Sequence, residues 1–140
     1  MTESWLTTLD NLGMPALFDQ MYPSVFGSGF IESVGTPGYL ALREGFLMLH
    51  SREEIRCGLA GALQASPDVS LLEELSVPTL VLVGDDDCLV SASAAEEIAE
   101  RIPMGRSRII RGAGHLPFLE ATDEFERLVD EFVDEIEARG

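Results

Sequence analysis

Two short loops hold the side chains best suited to chemistry. The run Asp85–Asp87 follows one apolar segment directly, and His115 follows another at the end of Gly112-Ala113-Gly114-His115. A carboxylate that accepts from the Nδ1–H of an imidazole fixes its tautomer and stabilises its protonated form, which leaves Nε2 to act as a general base. An acid and a histidine arranged in this way are two of the three members of a nucleophilic triad.

The elements around these loops predict that they meet. Thr79–Val83 is an apolar run typical of a strand buried on both faces of a parallel sheet, and Arg108–Ile110 predicts a second strand. Between them, Ser93-Ala94-Ala95-Glu96 has the pattern of a capping box that opens a helix, and Pro103 closes it. A right-handed crossover makes the two strands parallel neighbours. Their carboxyl ends then lie side by side, and we expect an acid of the first loop within hydrogen-bond reach of His115.

The last segment of the chain predicts an amphipathic helix. Apolar residues recur there at i, i+3, i+4, i+7, i+8 and i+11, with acids on the other face. These residues are Phe125, Leu128, Val129, Phe132, Val133 and Ile136. Residues 76–140 therefore form a βαβα unit.

Residues 1–75 predict helices joined by loops. The first helix ends near Pro23, the glycine-rich stretch Ser24–Pro37 is loop-like, and helical spacing returns up to about His50. A capping box at Ser51-Arg52-Glu53-Glu54 opens a helix that runs to about Ala65. One more turn over residues 68–75 completes this part.

Composition excludes several classes of function. The chain has 140 residues, with 9 Lys and Arg against 25 Asp and Glu, so its net charge is −16. Such a surface repels nucleic acid and anionic membranes. We also expect no membrane span, no signal peptide, and a cytoplasmic protein. Cys57 and Cys88 form neither a CxxC motif nor a disulfide framework, which predicts reduced, buried thiols.

Three segments together resemble the carboxyl-terminal end of an α/β-hydrolase. They are Val77-Pro78-Thr79-Leu80-Val81-Leu82-Val83-Gly84-Asp85-Asp86-Asp87, then Gly112-Ala113-Gly114-His115-Leu116-Pro117-Phe118-Leu119-Glu120, and then Phe125 to Phe132. The acid precedes the histidine, as in that family's Ser…Asp…His order. The resemblance implies that Asp87 is the acid, with Asp86 as the alternative, and that His115 is the base. Residues 1–75 resemble the helical cap of hydrolases of the enol-lactonase, haloperoxidase and epoxide-hydrolase type.

The chain departs from the family in lacking a nucleophile. It contains no G-x-S-x-G elbow, none of the strands that precede the cap, and no oxyanion loop. Three explanations stay open: a naturally split protein, a truncated piece, and a non-catalytic remnant. The first strand would also leave one apolar edge unpaired, which native proteins cover. The predicted fold is therefore α/β, a two-stranded part of a hydrolase sheet preceded by a helical cap and completed by a partner chain or a strand-exchanged dimer.

The function implied by the resemblance is hydrolysis of an ester, thioester or lactone with a small apolar acyl group, with the serine supplied by another chain. The alternative is a non-catalytic lid, a binding subunit or a pseudoenzyme with an idle dyad. No cofactor is implied. Three adjacent aspartates could suggest a Mg²⁺ or Ca²⁺ site, but no further ligand pattern accompanies them, so no metal is predicted. Cys88 as a nucleophile and His50 as a catalyst are weaker alternatives, since Cys88 is not aimed at substrate and His50 ends a helix.

Overall fold

The computed structural model describes residues 1–65 and 68–138. In chain order the elements are α1 (Thr2–Leu12), α2 (Met14–Val25), α3 (Ser28–Leu49), α4 (Arg52–Gln64), α5 (Ser70–Glu73), β1 (Thr79–Gly84), α6 (Ala92–Arg101), β2 (Gly105–Ile110), α7 (Pro117–Glu120) and α8 (Thr122–Glu137). The chain divides into two compact units. The helical unit is Met1–Pro23 with Ile31–Pro67, and the strand unit is Ser24–Phe30 with Asp68–Gly140. Among the described residues, no helix is both long and apolar enough to cross a membrane.

Aromatic and aliphatic packing builds the helical unit. The ring of Phe18 lies 5.4 Å from that of Phe46 and 5.9 Å from that of Tyr39, centroid to centroid. Helices α1 and α4 pack together, and Arg56 of α4 binds the carboxylate of Asp10 in α1 at 3.0 Å. The buried apolar side chains of this unit are Trp5, Leu9, Leu17, Phe18 and Tyr22.

The structure confirms the capping box at Ser51 and corrects the loop predicted over Ser24–Pro37. The Ser51 hydroxyl accepts from the Glu54 N–H at 3.2 Å, while Glu54 accepts from the Ser51 N–H at 2.9 Å. In contrast, α3 begins at Ser28, and its helical turns continue on both sides of a break at Gly35. Gly35 has φ +54, which glycine adopts without strain, so one glycine bends a helix where sequence composition predicts a loop. Helix α1 was not predicted either.

The strand unit contains the predicted parallel pair. β1 and β2 are paired from Thr79 with Gly105 to Gly84 with Ile110. Behind the sheet, Ile110 packs with Leu128 of α8, and the predicted amphipathic helix is confirmed. In the described residues the sheet has these two strands, and its completion by a partner stays a prediction.

Two helix and strand boundaries in this unit differ from the prediction. β2 begins at Gly105, because pairing with β1 holds a polar segment in extended form. The cap of α6 is Ser91, whose hydroxyl accepts from the Ala94 N–H at 3.2 Å, so the capping box predicted at Ser93 is wrong. The Ser93 hydroxyl instead lies 3.0 Å from that of Ser91.

The segment Ser24–Phe30 packs with the strand unit, although the sequence groups it with residues 1–75. The role of residues 1–75 as a cap stays a prediction.

Candidate active site

Backbone hydrogen bonds join the two loops that follow β1 and β2. The Asp85 N–H donates to the Ile110 carbonyl at 3.0 Å, and the Asp86 N–H donates to the Ala113 carbonyl at 3.0 Å. Gly84 allows this approach, since a Cβ there would lie 2.0 Å from the Ala113 oxygen. The loops therefore lie against each other where the two parallel strands end.

The structure brings Asp87 and His115 together. Asp87 Oδ2 lies 2.9 Å from His115 Nδ1, with the Asp87 side chain 4% exposed and the His115 side chain 39% exposed. The other carboxylate oxygen of Asp87, Oδ1, accepts from the N–H groups of Leu89 at 2.7 Å and Val90 at 3.0 Å. Three donors thus hold an enclosed carboxylate in one orientation.

These contacts keep Asp87 ionised. Burial, the largest single effect, raises the pKa of Asp87, but the hydrogen bonds from His115, Val90 and Leu89 together hold the pKa below its ordinary value of 3.8. An ionised carboxylate at Nδ1 favours the tautomer with its proton on that nitrogen. Nε2 is then the nitrogen that can take up a proton.

The other two aspartates of the run bind separate segments. Asp86, the alternative orienting acid, accepts through Oδ2 from the Ser28 N–H at 2.6 Å and the Ser28 hydroxyl at 2.8 Å, rather than from His115. The backbone bond, followed by the hydroxyl bond, lowers the pKa of Asp86. Asp85 Oδ1 accepts from the Gly112 N–H at 2.6 Å. Asp85 therefore binds the loop that holds His115, whereas Asp86 binds the segment around Ser28.

Glu120 is a functional candidate that sequence reasoning did not single out. Its carboxylate accepts from three backbone N–H groups, those of Gly27 at 2.7 Å, Gly114 at 2.9 Å and Leu116 at 3.0 Å. An acid a few residues after a histidine loop could have suggested the two local bonds. The bond to Gly27 spans 93 positions of sequence, and no local pattern signals it.

The weaker candidates are Cys57, Cys88 and His50. Cys57 and Cys88 are free, as predicted, but exposed rather than buried. The ring of His50 lies tilted against that of Phe46 in the helical unit, with centroids 5.1 Å apart. Across residues 1–65 and 68–138, no cluster of three or more potential ligands could hold a metal ion.

A groove of the strand unit lies at the opposite ends of the strands. It has a volume of about 400 Å³ and is lined by Pro78, Pro103, Met104, Arg106, Phe132, Glu135 and Ile136. It does not include Asp87 or His115.

No family model matches the chain. Proline iminopeptidase of Lactobacillus helveticus is 36% identical over 64 residues, which is 46% of this chain and 21% of that protein. Pimeloyl-[acyl-carrier protein] methyl ester esterase of Neisseria meningitidis is 30% identical over 86 residues, 56% of this chain and 28% of that protein.

Solved structures match nearly the whole chain. A thermophilic esterase from Thermogutta terrifontis superposes with a TM-score of 0.82 at 23% identity, over 96% of this chain and 49% of that one. The enol-lactonase from Burkholderia xenovorans gives 0.78 at 23% identity, over 94% and 49%. MGS-M2, an alpha/beta hydrolase enzyme from a deep-sea metagenome library, gives 0.78 at 16% identity, over 95% and 49%.

At these identities the solved structures establish the fold. The chain spans less than a third of the length of the two curated relatives and about half the length of the solved structures. The predicted resemblance to the α/β-hydrolase family is confirmed: the chain has the fold of that family and covers a part of the length of its relatives.

Proposed function

We propose that this chain supplies the acid, Asp87, and the base, His115, of a Ser-His-Asp triad that hydrolyses an ester, thioester or lactone. The observation that carries the proposal is the 2.9 Å contact between Asp87 Oδ2 and His115 Nδ1, made by a nearly enclosed carboxylate. Similarity to an esterase and to an enol-lactonase supports the reaction class.

The proposed reaction moves one proton through His115. Nε2 takes the proton of the serine hydroxyl as its oxygen attacks the acyl carbonyl, and Asp87 stabilises the imidazolium that forms. The imidazolium then gives the proton to the leaving alcohol or thiol, and an acyl-serine remains. Water, deprotonated by the same nitrogen, releases the acid and restores the serine. These steps need no cofactor.

The serine comes from outside this sequence in the proposal. The chain has no G-x-S-x-G elbow, and Ser28, which lies in the strand unit, has its hydroxyl bound to Asp86. A second copy of the chain cannot bring that motif, so we assign the nucleophile to a different chain, with a small apolar acyl compound as substrate. The chain alone is then inactive or weakly active.

Affinity capture tests the proposal. The tagged chain, incubated with a lysate of its source organism, is expected to retain a protein with a G-x-S-x-G motif that reacts with a fluorophosphonate probe. The captured assembly should hydrolyse p-nitrophenyl butyrate, and His115→Ala should reduce turnover by up to about 10⁶-fold. His50→Gln is the matched control for a histidine change and should leave turnover unchanged.

The same assay distinguishes the proposed catalytic role from the non-catalytic alternative. Equal turnover by wild type, His115→Ala and Asp87→Asn assemblies would favour a lid or binding subunit with an idle dyad. Fast ester hydrolysis by the chain alone would contradict the assignment of the serine to a second chain.

A further inference from the structure

One carboxylate holds the backbone on both sides of His115. Glu120, the last residue of α7, accepts through Oε2 from the Gly114 N–H at 2.9 Å and through Oε1 from the Leu116 N–H at 3.0 Å. Oε2 also accepts from the Gly27 N–H at 2.7 Å, which ties the histidine loop to a distant part of the strand unit's sequence. The carboxylate is half-buried, so water competes less for these bonds than at an exposed site.

The N–H of His115 itself has a different acceptor. It donates to the Val25 carbonyl at 2.8 Å, so each of the three consecutive N–H groups from Gly114 to Leu116 donates a hydrogen bond. With the backbone fixed in this way, the ring is directed by rotation about two side-chain bonds alone. Asp87 fixes that rotation by accepting from Nδ1.

Two glycines make the attachment possible. A Cβ on Gly114 would lie 2.4 Å from the Gly27 nitrogen, and a Cβ on Gly27 would lie 3.2 Å from Glu120 Oε2. The two backbones therefore approach each other closely at the point where the carboxylate binds both. The histidine loop and the segment around Gly27 form one interlocked structure.

We propose that Glu120 is the positioning residue that holds His115 against Asp87, an inference whose catalytic meaning rests on the proposed function. The carboxylate acts through the backbone and takes no part in proton transfer. Its two oxygens both accept, and bonds from N–H groups to a charged acceptor are stronger than those to a neutral one. A glutamine at this position has one accepting oxygen and an amide nitrogen that only donates, so at least one of the three N–H groups must lose its acceptor.

NMR on the full chain tests this inference. Histidine labelled with ¹⁵N reports the Nδ1–H of His115, and His50→Gln assigns its signal because the chain has two histidines. In Glu120→Gln, we expect hydrogen exchange of this Nδ1–H, and of at least one of the Gly27, Gly114 and Leu116 amides, to accelerate about tenfold or more. Glu124→Gln is the matched control, because Glu124 binds the exposed Arg127 side chain, and it should change none of these rates.

Unchanged exchange of the His115 Nδ1–H in a folded Glu120→Gln chain would overturn the inference. If that variant does not fold, amide exchange of the wild type at increasing urea concentrations tests the inference instead. The Gly114, His115 and Leu116 amides should then open together, and opening of the His115 amide apart from the other two would contradict the proposal. None of these measurements uses turnover, so failure of the proposed function in the ester assay is seen independently.

Discussion

Two groups of carboxylates, one in each unit, are bound by different kinds of donor. In the helical unit, Asp10 and Asp19 accept from the side chains of Arg56 at 3.0 Å and Arg43 at 2.8 Å, with all four groups between 30% and 53% exposed. In the strand unit, the carboxylates at the ends of the strands accept from backbone N–H groups. These carboxylates are Asp85, Asp86, Asp87 and Glu120.

The two kinds of contact have different consequences, one for stability and the other for loop geometry. Exposed ion pairs contribute about 0–1 kcal/mol each, so the helical unit depends on its apolar packing. A carboxylate bound to backbone N–H groups fixes the shape of a loop, because the donors cannot move without the chain. The strand unit therefore has polar contacts where a candidate dyad needs a defined orientation.

Removing the charge of one aspartate in each unit gives the largest expected contrast. In the captured assembly, Asp87→Asn should lower kcat by about 10⁴-fold, because the imidazole loses the carboxylate that orients it and stabilises its charge. That loss corresponds to about 5.5 kcal/mol of activation free energy. Asp19→Asn removes an exposed carboxylate of the helical unit and should leave ester turnover unchanged.

Steady-state hydrolysis of p-nitrophenyl butyrate measures both variants. Similar rates for Asp87→Asn and Asp19→Asn would remove the distinction between the two kinds of carboxylate.

Apolar truncation in the helical unit gives the next largest effect. Leu17 is fully buried, and Leu17→Ala should lower the free energy of unfolding by about 2–5 kcal/mol, since it removes contacts and leaves a cavity. Leu12 is 70% exposed, so the same change there should cost less than about 0.5 kcal/mol. Urea unfolding followed by circular dichroism measures the difference. Equal costs would mean that apolar burial does not dominate the stability of this unit.

Local patterns in the sequence account for much of the strand unit. The apolar run Thr79–Val83 and the heptad-like spacing of α8 depend on residues close together, and the handedness of crossovers then makes the strands parallel. The same rule brings the loops after the strands together, which is why Asp87 and His115 could be chosen before their 2.9 Å contact was known.

Contacts between segments far apart in the chain could not be predicted from the sequence. The bond from the Gly27 N–H to Glu120 and the bonds from Ser28 to Asp86 join parts of the chain 93 and 58 positions apart. Glycine-rich sequence predicted a loop there, whereas the glycine at position 27 allows close approach of two backbones. The prediction of the α6 cap was wrong for another reason. Ser91 and Ser93 are both residue types that suit an N-cap, and only the geometry of the turn selects Ser91.

Glycines in the two units should respond to alanine in opposite directions. Gly114→Ala places a methyl group 2.4 Å from the Gly27 nitrogen, which forces a backbone shift and should cost about 1–3 kcal/mol of unfolding free energy. Gly45 lies in α3, and apart from its chain neighbours and its own helical backbone no atom lies within 4 Å of an added Cβ, so Gly45→Ala should stabilise by about 0.5–1 kcal/mol. Thermal unfolding measures both changes. A Gly114→Ala chain as stable as wild type would show that the backbones at Gly27 and Gly114 can move apart at little cost.

The smallest effect is a shift in the pKa of a single carboxyl. Burial raises the pKa of Asp87, but the bonds from His115, Val90 and Leu89 lower it by more, so the net direction is below 3.8. Because the folded-state pKa is depressed, the stability that Asp87 contributes is present above pH 3.8 and is lost as pH falls through the folded value. His115→Phe keeps the site enclosed but removes one donor, so the pKa of Asp87 should rise.

Titration of ¹³C-labelled carboxyl groups followed by NMR measures this shift. Glu54 of the helical unit serves as the internal reference, because its lowered pKa comes first from the Ser51 backbone N–H and then from the Ser51 hydroxyl, so it should not move in His115→Phe. An unchanged Asp87 pKa in this variant would show that the Leu89 and Val90 N–H groups alone hold the carboxylate ionised. The orientation of His115 would then depend on Asp87 without reciprocal stabilisation of the acid, and the two kinds of carboxylate would differ in geometry but not in electrostatic coupling.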